Sequence, residues 1–127
     1  MNALAIATST GGSWRILKLT GDLDFHTAPQ LRAAVEAQPL SPNHGLVIDL
    51  SDLAFCDSSG ITAMLVARRL TVAAGATMAL AAVPGRVARI FARAGLDQIF
   101  TIHATTADAT ATATATATDA TASDDAG

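Results

Sequence analysis

The tetrapeptide Asp57-Ser58-Ser59-Gly60 contains the residues whose types and spacing offer the clearest chemistry in this sequence. Side chains of Asp and Ser accept hydrogen bonds from the free amides at the start of a helix. On residue types alone, the favoured interpretation is a plain helix cap. The alternative is a phosphorylation site at Ser58, since the amides and the positive dipole end of a helix hold a phosphate well.

Ser59 and Gly60 favour the second interpretation. A second serine is more than one cap requires, and glycine in a helix interior costs about 0.5–1 kcal/mol relative to alanine. Gly60 would leave room for a partner to approach the backbone, at a helix start of the kind where α/β proteins bind ligands. A phosphate with a charge of about −1.5 to −2 beside Asp57 would change the electrostatics of any interface formed over this helix end. The pattern therefore predicts a binding switch that needs little refolding.

The hydrophobic spacing around this tetrapeptide predicts alternating strands and helices. The continuous apolar run Gly45–Leu50 is typical of a strand covered on both faces. A helix is predicted from about Ser58 to Ala74, with one apolar face formed by Ile61, Met64, Leu65 and Val72. The other predicted elements are strands at 3–8, 14–20, 77–81 and 98–103 and helices that begin near Thr27 and Pro84.

The predicted order of elements is ββαβαβαβ. Gly11-Gly12-Ser13 is a turn signal that joins the first two strands as a hairpin. The strand-helix-strand connections that follow require parallel neighbours. We therefore expect an α/β fold with a mixed, mostly parallel central sheet of about five strands, with helices packed on it and Gly45–Leu50 at its centre.

The last 24 residues, Ala104 to Gly127, use only Ala, Thr, Asp, Ser and Gly. Such a segment offers few large side chains to bury, so packing is not expected to offset the entropy of ordering it. We predict one folded domain over residues 1–103 and a disordered low-complexity tail over residues 104–127, with one helical turn near Thr106 to Ala109.

Composition excludes several classes of function. Residues 1–103 carry 8 basic and 7 acidic side chains, so the domain has no charge bias that would attract nucleic acid. No apolar stretch is long enough to insert into a membrane, and one cysteine, Cys56, suits the cytoplasm. His26 and His103 lack neighbouring ligands, so neither a metal site nor a cofactor is expected. No catalytic arrangement is identifiable, and a hydrolase that uses Ser58 is the least favoured hypothesis.

Other polar residues have ordinary interpretations. Asp22 and Asp24 stand two residues apart in a predicted turn, where they more often serve turn geometry than acid-base chemistry. Arg86, Arg89 and Arg93 share the helix face opposite an apolar stripe, which indicates a solvated surface.

Three segments in order resemble one family. Gly21-Asp22-Leu23-Asp24-Phe25-His26-Thr27-Ala28, Val47-Ile48-Asp49-Leu50-Ser51-Asp52-Leu53 and Phe55-Cys56-Asp57-Ser58-Ser59-Gly60-Ile61 are similar to segments of the STAS anti-sigma-factor antagonists. With the later helix, the resemblance covers residues 3–103 and implies the STAS fold. Two features depart from the family's pattern: Thr62 stands in place of a frequent glycine, and the Ala/Thr tail replaces a C-terminal helix.

This resemblance implies a non-enzymatic partner switch. The unphosphorylated protein would bind a serine-kinase anti-sigma factor and release a sigma factor, phosphorylation would end the binding, and a phosphatase would reverse it. The serine directly after the aspartate, Ser58, is the implied phosphorylation site. The implied partner-binding residues are Asp22, Asp24, Thr27, Asp57, Ser59, Gly60 and Ile61. The alternative is a STAS subunit of a lipid-transport or other multiprotein complex that is never phosphorylated.

Overall fold

The computed structural model describes residues 3–111 and has an α/β architecture, which confirms the predicted fold class. Five strands form one sheet in the order β1-β2-β3-β4-β5. β1 and β2 form an antiparallel hairpin, and the other neighbouring strands are parallel. The elements are β1 Leu4–Gly11, β2 Trp14–Leu23, α1 Ala28–Glu36, β3 Gly45–Cys56, α2 Ser58–Ala73, β4 Thr77–Ala81, α3 Gly85–Arg93, β5 Ile102–His103 and α4 Thr106–Ala111.

The central strand β3 is buried on both faces over its first half, as the apolar run predicts. Leu46, Ile48 and Leu50 belong to the main core, to which α1, α2 and α3 also contribute. Val47 points into a smaller cluster on the opposite side, with Trp14 as its largest member. β3 continues beyond the predicted end at residue 50 to Cys56. Leu53 and Cys56 stay buried although two exposed residues precede each of them, and the pairing with β2 shifts register twice over this half of the strand.

Two other predicted boundaries were wrong. The chain does not leave the sheet at Gly21, where φ is 110°; β2 continues through a register shift to Leu23. The last strand is only Ile102–His103, preceded by a 3-10 turn at Leu96–Gln98. The longer β2 brings its carboxyl end level with that of β3, where Leu23 pairs with Cys56.

The buried face of α2 agrees with the prediction at Met64, which is in the core, and at Ile61 and Leu65, which pack against it, but not at Val72. Val72 is 55% exposed, whereas the fully buried positions include Ala63, Ala67 and Thr71. Thr71 satisfies its buried hydroxyl by donating to the Ala67 carbonyl at 2.8 Å.

Within the predicted tail, Thr106–Ala111 form α4, which contains the expected helical turn; residues 112–127 lie outside the described residues. Ala109 is fully buried in the cluster that contains Trp14 and Val47. Thr106 Oγ1 donates to Asp49 Oδ2 at 3.1 Å, and the Ser51 amide donates to Asp49 Oδ1 at 2.9 Å. Burial alone would raise the pKa of Asp49, but these hydrogen bonds and Lys18 outweigh it and lower the pKa.

Ala109→Asp is expected to lower the free energy of unfolding by about 1–2 kcal/mol, because a buried charge forces α4 off the sheet. The loss of free energy of unfolding is limited because only this short helix detaches. Chemical denaturation measures it, and Ala107→Asp, at an exposed position of the same helix, is the matched control. Equal stability of the two variants would contradict the packing of α4 on this sheet face.

Candidate functional site

The candidate site lies at the first turn of α2, immediately after β3. Asp57 has an extended backbone and caps the helix: its Oδ1 accepts a hydrogen bond from the Gly60 amide at 3.0 Å, and its carbonyl accepts one from the Ile61 amide at 3.0 Å. Ser58 and Ser59 are the first two helical residues, so their amides have no acceptor within the helix. The predicted cap is therefore formed by Asp57, which leaves Ser58 without that task.

Ser58 is exposed, and Ser59 is half-buried beside it. Thr62 Oγ1 donates to the Ser58 carbonyl at 3.0 Å, one turn along α2. Ser58 is thus exposed at the helix surface and directly follows the capping Asp57. A phosphate here would not require any core side chain to move, and it would place two negative groups side by side.

Gly60 is buried and serves the fold itself. A Cβ atom at this position would lie 2.5 Å from the Leu23 carbonyl oxygen and 2.8 Å from Cys56 Sγ, both too close for real contacts. The missing side chain lets α2 start directly against the ends of β2 and β3. The space at Gly60 is filled by this chain and not left for a partner, which corrects the reason inferred from the sequence.

The loop between β2 and α1 is held by Asp24 and Thr27. Asp24 Oδ1 accepts hydrogen bonds from the amides of His26 at 2.9 Å and Thr27 at 3.1 Å. Thr27 Oγ1 accepts from the Asp24 amide at 2.9 Å and donates to the Asp22 carbonyl at 2.8 Å. Both side chains are buried, Asp24 being only 8% exposed. They serve the turn geometry that their spacing favours and fix the shape of the loop.

The strand ends bring this loop against the start of α2. Asp22 pairs with Phe55 in the sheet, and the Asp57 amide donates to the Leu23 carbonyl at 3.4 Å. Within residues 3–111, Asp22 Oδ1 is buried without a hydrogen-bond partner. The predicted site residues therefore form one cluster in which Ser58 is exposed, Asp22, Asp57, Ser59 and Ile61 are partly exposed, and Asp24, Thr27 and Gly60 are buried.

Cys56 lies beneath this cluster and is 5% exposed. Burial, with a smaller contribution from the charge of Asp57, raises the pKa of the Cys56 thiol to about 12. A thiol with such a pKa is protonated and unreactive at neutral pH, as expected of a small buried apolar side chain.

Two nearby residues were missed from the sequence. Phe25 is 74% exposed in the loop between Asp24 and Thr27 and borders an open groove of about 440 Å³ between α1 and α2. An Arg86 nitrogen donates to the Ala54 carbonyl and joins α3 to the end of β3, although the arginine was interpreted only as part of a solvated face. The only sequence signal for an exposed contact residue at position 25 was that Phe25 is an aromatic residue inside a polar turn.

The described part of the chain offers neither a metal cluster nor a membrane span. Residues 3–111 contain no group of three or more His, Cys, Asp or Glu side chains placed to share a metal ion. None of their helices combines the length and apolarity needed to cross a bilayer.

A STAS domain family model matches residues 5–109, a range that includes the whole site and most of α4. The chain belongs to the STAS domain family. Its STAS domain is 33% identical to the anti-sigma F factor antagonist of Paenibacillus polymyxa over 95 residues, which cover 74% of this chain and 81% of that relative. The similarity places this chain with the anti-sigma-factor antagonists of the STAS family.

Solved structures share this STAS fold. An anti-sigma factor antagonist from Mycobacterium paratuberculosis matches with a TM-score of 0.73 and 24% identity, over 84% of this chain and 91% of that one. The Bacillus cell fate determinant SpoIIAA in its phosphorylated form matches with a TM-score of 0.62 and 23% identity, over 83% and 96% of the two chains.

Proposed function

We propose that this STAS protein is a cytoplasmic anti-sigma-factor antagonist controlled at Ser58. The unphosphorylated chain binds a serine-kinase anti-sigma factor and thereby releases a sigma factor. The observation that carries the proposal is the exposed Ser58 hydroxyl at the start of α2, where Asp57 already caps the helix. The relationship to the Paenibacillus polymyxa antagonist supports the class of partner.

Phosphorylation of Ser58 ends the binding. The kinase transfers the γ-phosphoryl group of ATP to Ser58 Oγ, the hydroxyl proton is released, and ADP leaves. The added charge of about −1.5 to −2 lies beside Asp57, so a partner surface that accommodates the neutral serine meets excess negative charge. A phosphatase that hydrolyses the phosphoserine restores the binding. The chain itself is a substrate and a ligand, not an enzyme.

The exposed and buried members of the cluster have different roles in this proposal. Ser58, Ser59 and the accessible parts of Asp22, Asp57 and Ile61 contact the partner. Asp24 and Thr27 hold the adjacent loop, and Gly60 sets the distance between α2 and the strand ends.

Incubation with ATP and the cognate anti-sigma factor kinase is expected to add one phosphate to the chain. Mass spectrometry of the region from Phe55 to Arg68 should place that phosphate on Ser58, and the Ser58→Ala variant should stay unmodified. Modification at another residue would refute the assignment of Ser58. Stable binding without any modification would favour the non-phosphorylated STAS subunit instead.

A further inference from the structure

We propose that the groove between α1 and α2 receives an apolar side chain of the anti-sigma factor, with Phe25 as the main aromatic contact. This inference rests on the proposed function and extends the partner surface beyond the first turn of α2. The α1–α2 groove is the open depression bordered by Phe25, Ala28 and Pro29 on one side and Ser59, Ala63 and Val66 on the other.

The groove is continuous with the proposed partner surface. Ser59 lines it and directly follows Ser58, and Thr62 lines it one turn further along α2. Val66 lies two turns from Ser58, or about 12 Å at 1.5 Å per residue. A protein that covers Ser58 therefore has the groove within the span of an ordinary interface.

The exposed position of Phe25 is built into the loop. Asp24 Oδ1 accepts from the amides of His26 and Thr27, so the backbone on either side of Phe25 is held in place. The ring meets His26 edge to face, with the ring centroids 5.7 Å apart, and still exposes 74% of its surface. An aromatic side chain held outward on an ordered loop loses little conformational freedom on binding, which is the character of a hot-spot residue.

The lining of the groove favours an apolar occupant. Two of its polar groups already have partners within the chain: Arg32 Nε contacts Glu36 Oε2 at 3.3 Å, and Thr62 Oγ1 donates to the Ser58 carbonyl. The buried polar atoms without partners in residues 3–111 belong to Trp14, Arg15 and Asp22, none of which lines the groove. A small polar ligand would find few convergent groups here, whereas an apolar protein side chain needs none.

The test compares binding of the purified cognate anti-sigma factor to four unphosphorylated variants by calorimetry. Phe25→Ala and Val66→Gln should each lower the affinity at least tenfold. The controls Val72→Gln, at an exposed position of the same helix, and Ile99→Ala should bind like the wild type. Circular dichroism and thermal unfolding establish that each variant is folded.

The outcomes separate the groove from the switch. Wild-type affinity of both groove variants, together with loss of binding in Ser58→Asp, would overturn the groove proposal and leave the proposed function intact. Failure of the wild type to bind would overturn both. Loss of self-association by the groove variants, without loss of anti-sigma factor binding, would assign the groove to a second copy of the chain and also overturn the proposal.

Discussion

Ser58→Asp is expected to lower the affinity of this STAS protein for its anti-sigma factor by at least about 30-fold, or roughly 2 kcal/mol. The substituted carboxylate lies beside that of Asp57 at the exposed start of α2. A partner surface that fits the neutral serine would meet two adjacent like charges, which costs binding energy in a desolvated interface. Ser58→Ala should bind within a few-fold of the wild type, because it removes only the hydroxyl that accepts the phosphate and adds no charge.

Ser9→Asp is the control for charge alone. It changes the net charge by the same amount at an exposed position of the edge strand β1. Its affinity, measured by calorimetry or surface plasmon resonance at matched salt concentration, should equal that of the wild type. Equal losses in Ser9→Asp and Ser58→Asp would mean that net charge and not position controls binding.

Gly60→Ala is expected to destabilise the fold by about 2–3 kcal/mol. The added methyl group would lie 2.5 Å from the Leu23 carbonyl oxygen, which belongs to the backbone of a sheet strand and cannot move aside. It would also lie 2.8 Å from Cys56 Sγ. Relief requires α2 to shift away from the ends of β2 and β3, which disturbs the Asp57 cap and the setting of Ser58.

Gly85→Ala is the matched control because a Cβ atom at Gly85 would have open space around it. Alanine has the higher helix propensity, so this variant should be as stable as the wild type or slightly more stable. Urea denaturation, followed by circular dichroism, measures the free energy of unfolding of both variants. If Gly60→Ala were as stable as Gly85→Ala, the close contact between α2 and the strand ends would be refuted.

The fold was predictable from the sequence where local patterns were strong. The apolar run at Gly45–Leu50, the turn at Gly11-Gly12-Ser13 and the Asp57 cap each act over a few residues, and together they predict the hairpin, the central strand and the start of α2. The second half of β3 was missed because it has no continuous apolar run: four of its six residues are exposed, and Ser51 and Asp52 resemble a polar loop.

The packing of α4 could not be predicted because it depends on distant residues. Ala109 is buried only because Trp14, Val47 and Ala79, from three different strands, form an apolar surface opposite the main core. Ala and Thr residues in sequence carry no signal of that surface. Their composition indicates disorder, whereas the packing decides the structure of residues 104–111.

The candidate site was predicted in its members but not in their roles. Residue types pointed to Ser58, and the family resemblance supplied Asp24 and Thr27. Burial then separates the residues that position the loop from those that can meet a partner. The role of Gly60 depends on how closely β2 and α2 approach, a distance that no local pattern encodes.

Titration of the purified anti-sigma factor into two otherwise identical samples, unphosphorylated and phosphorylated on Ser58, tests the switch most directly. Mass spectrometry establishes the phosphorylation state of each sample before the titration. The unphosphorylated sample should form a tight complex, and phosphorylation should weaken it at least 30-fold, or about 2 kcal/mol, without a change in the circular dichroism spectrum. Equal affinity of the two samples would contradict the assignment of Ser58 as the switch.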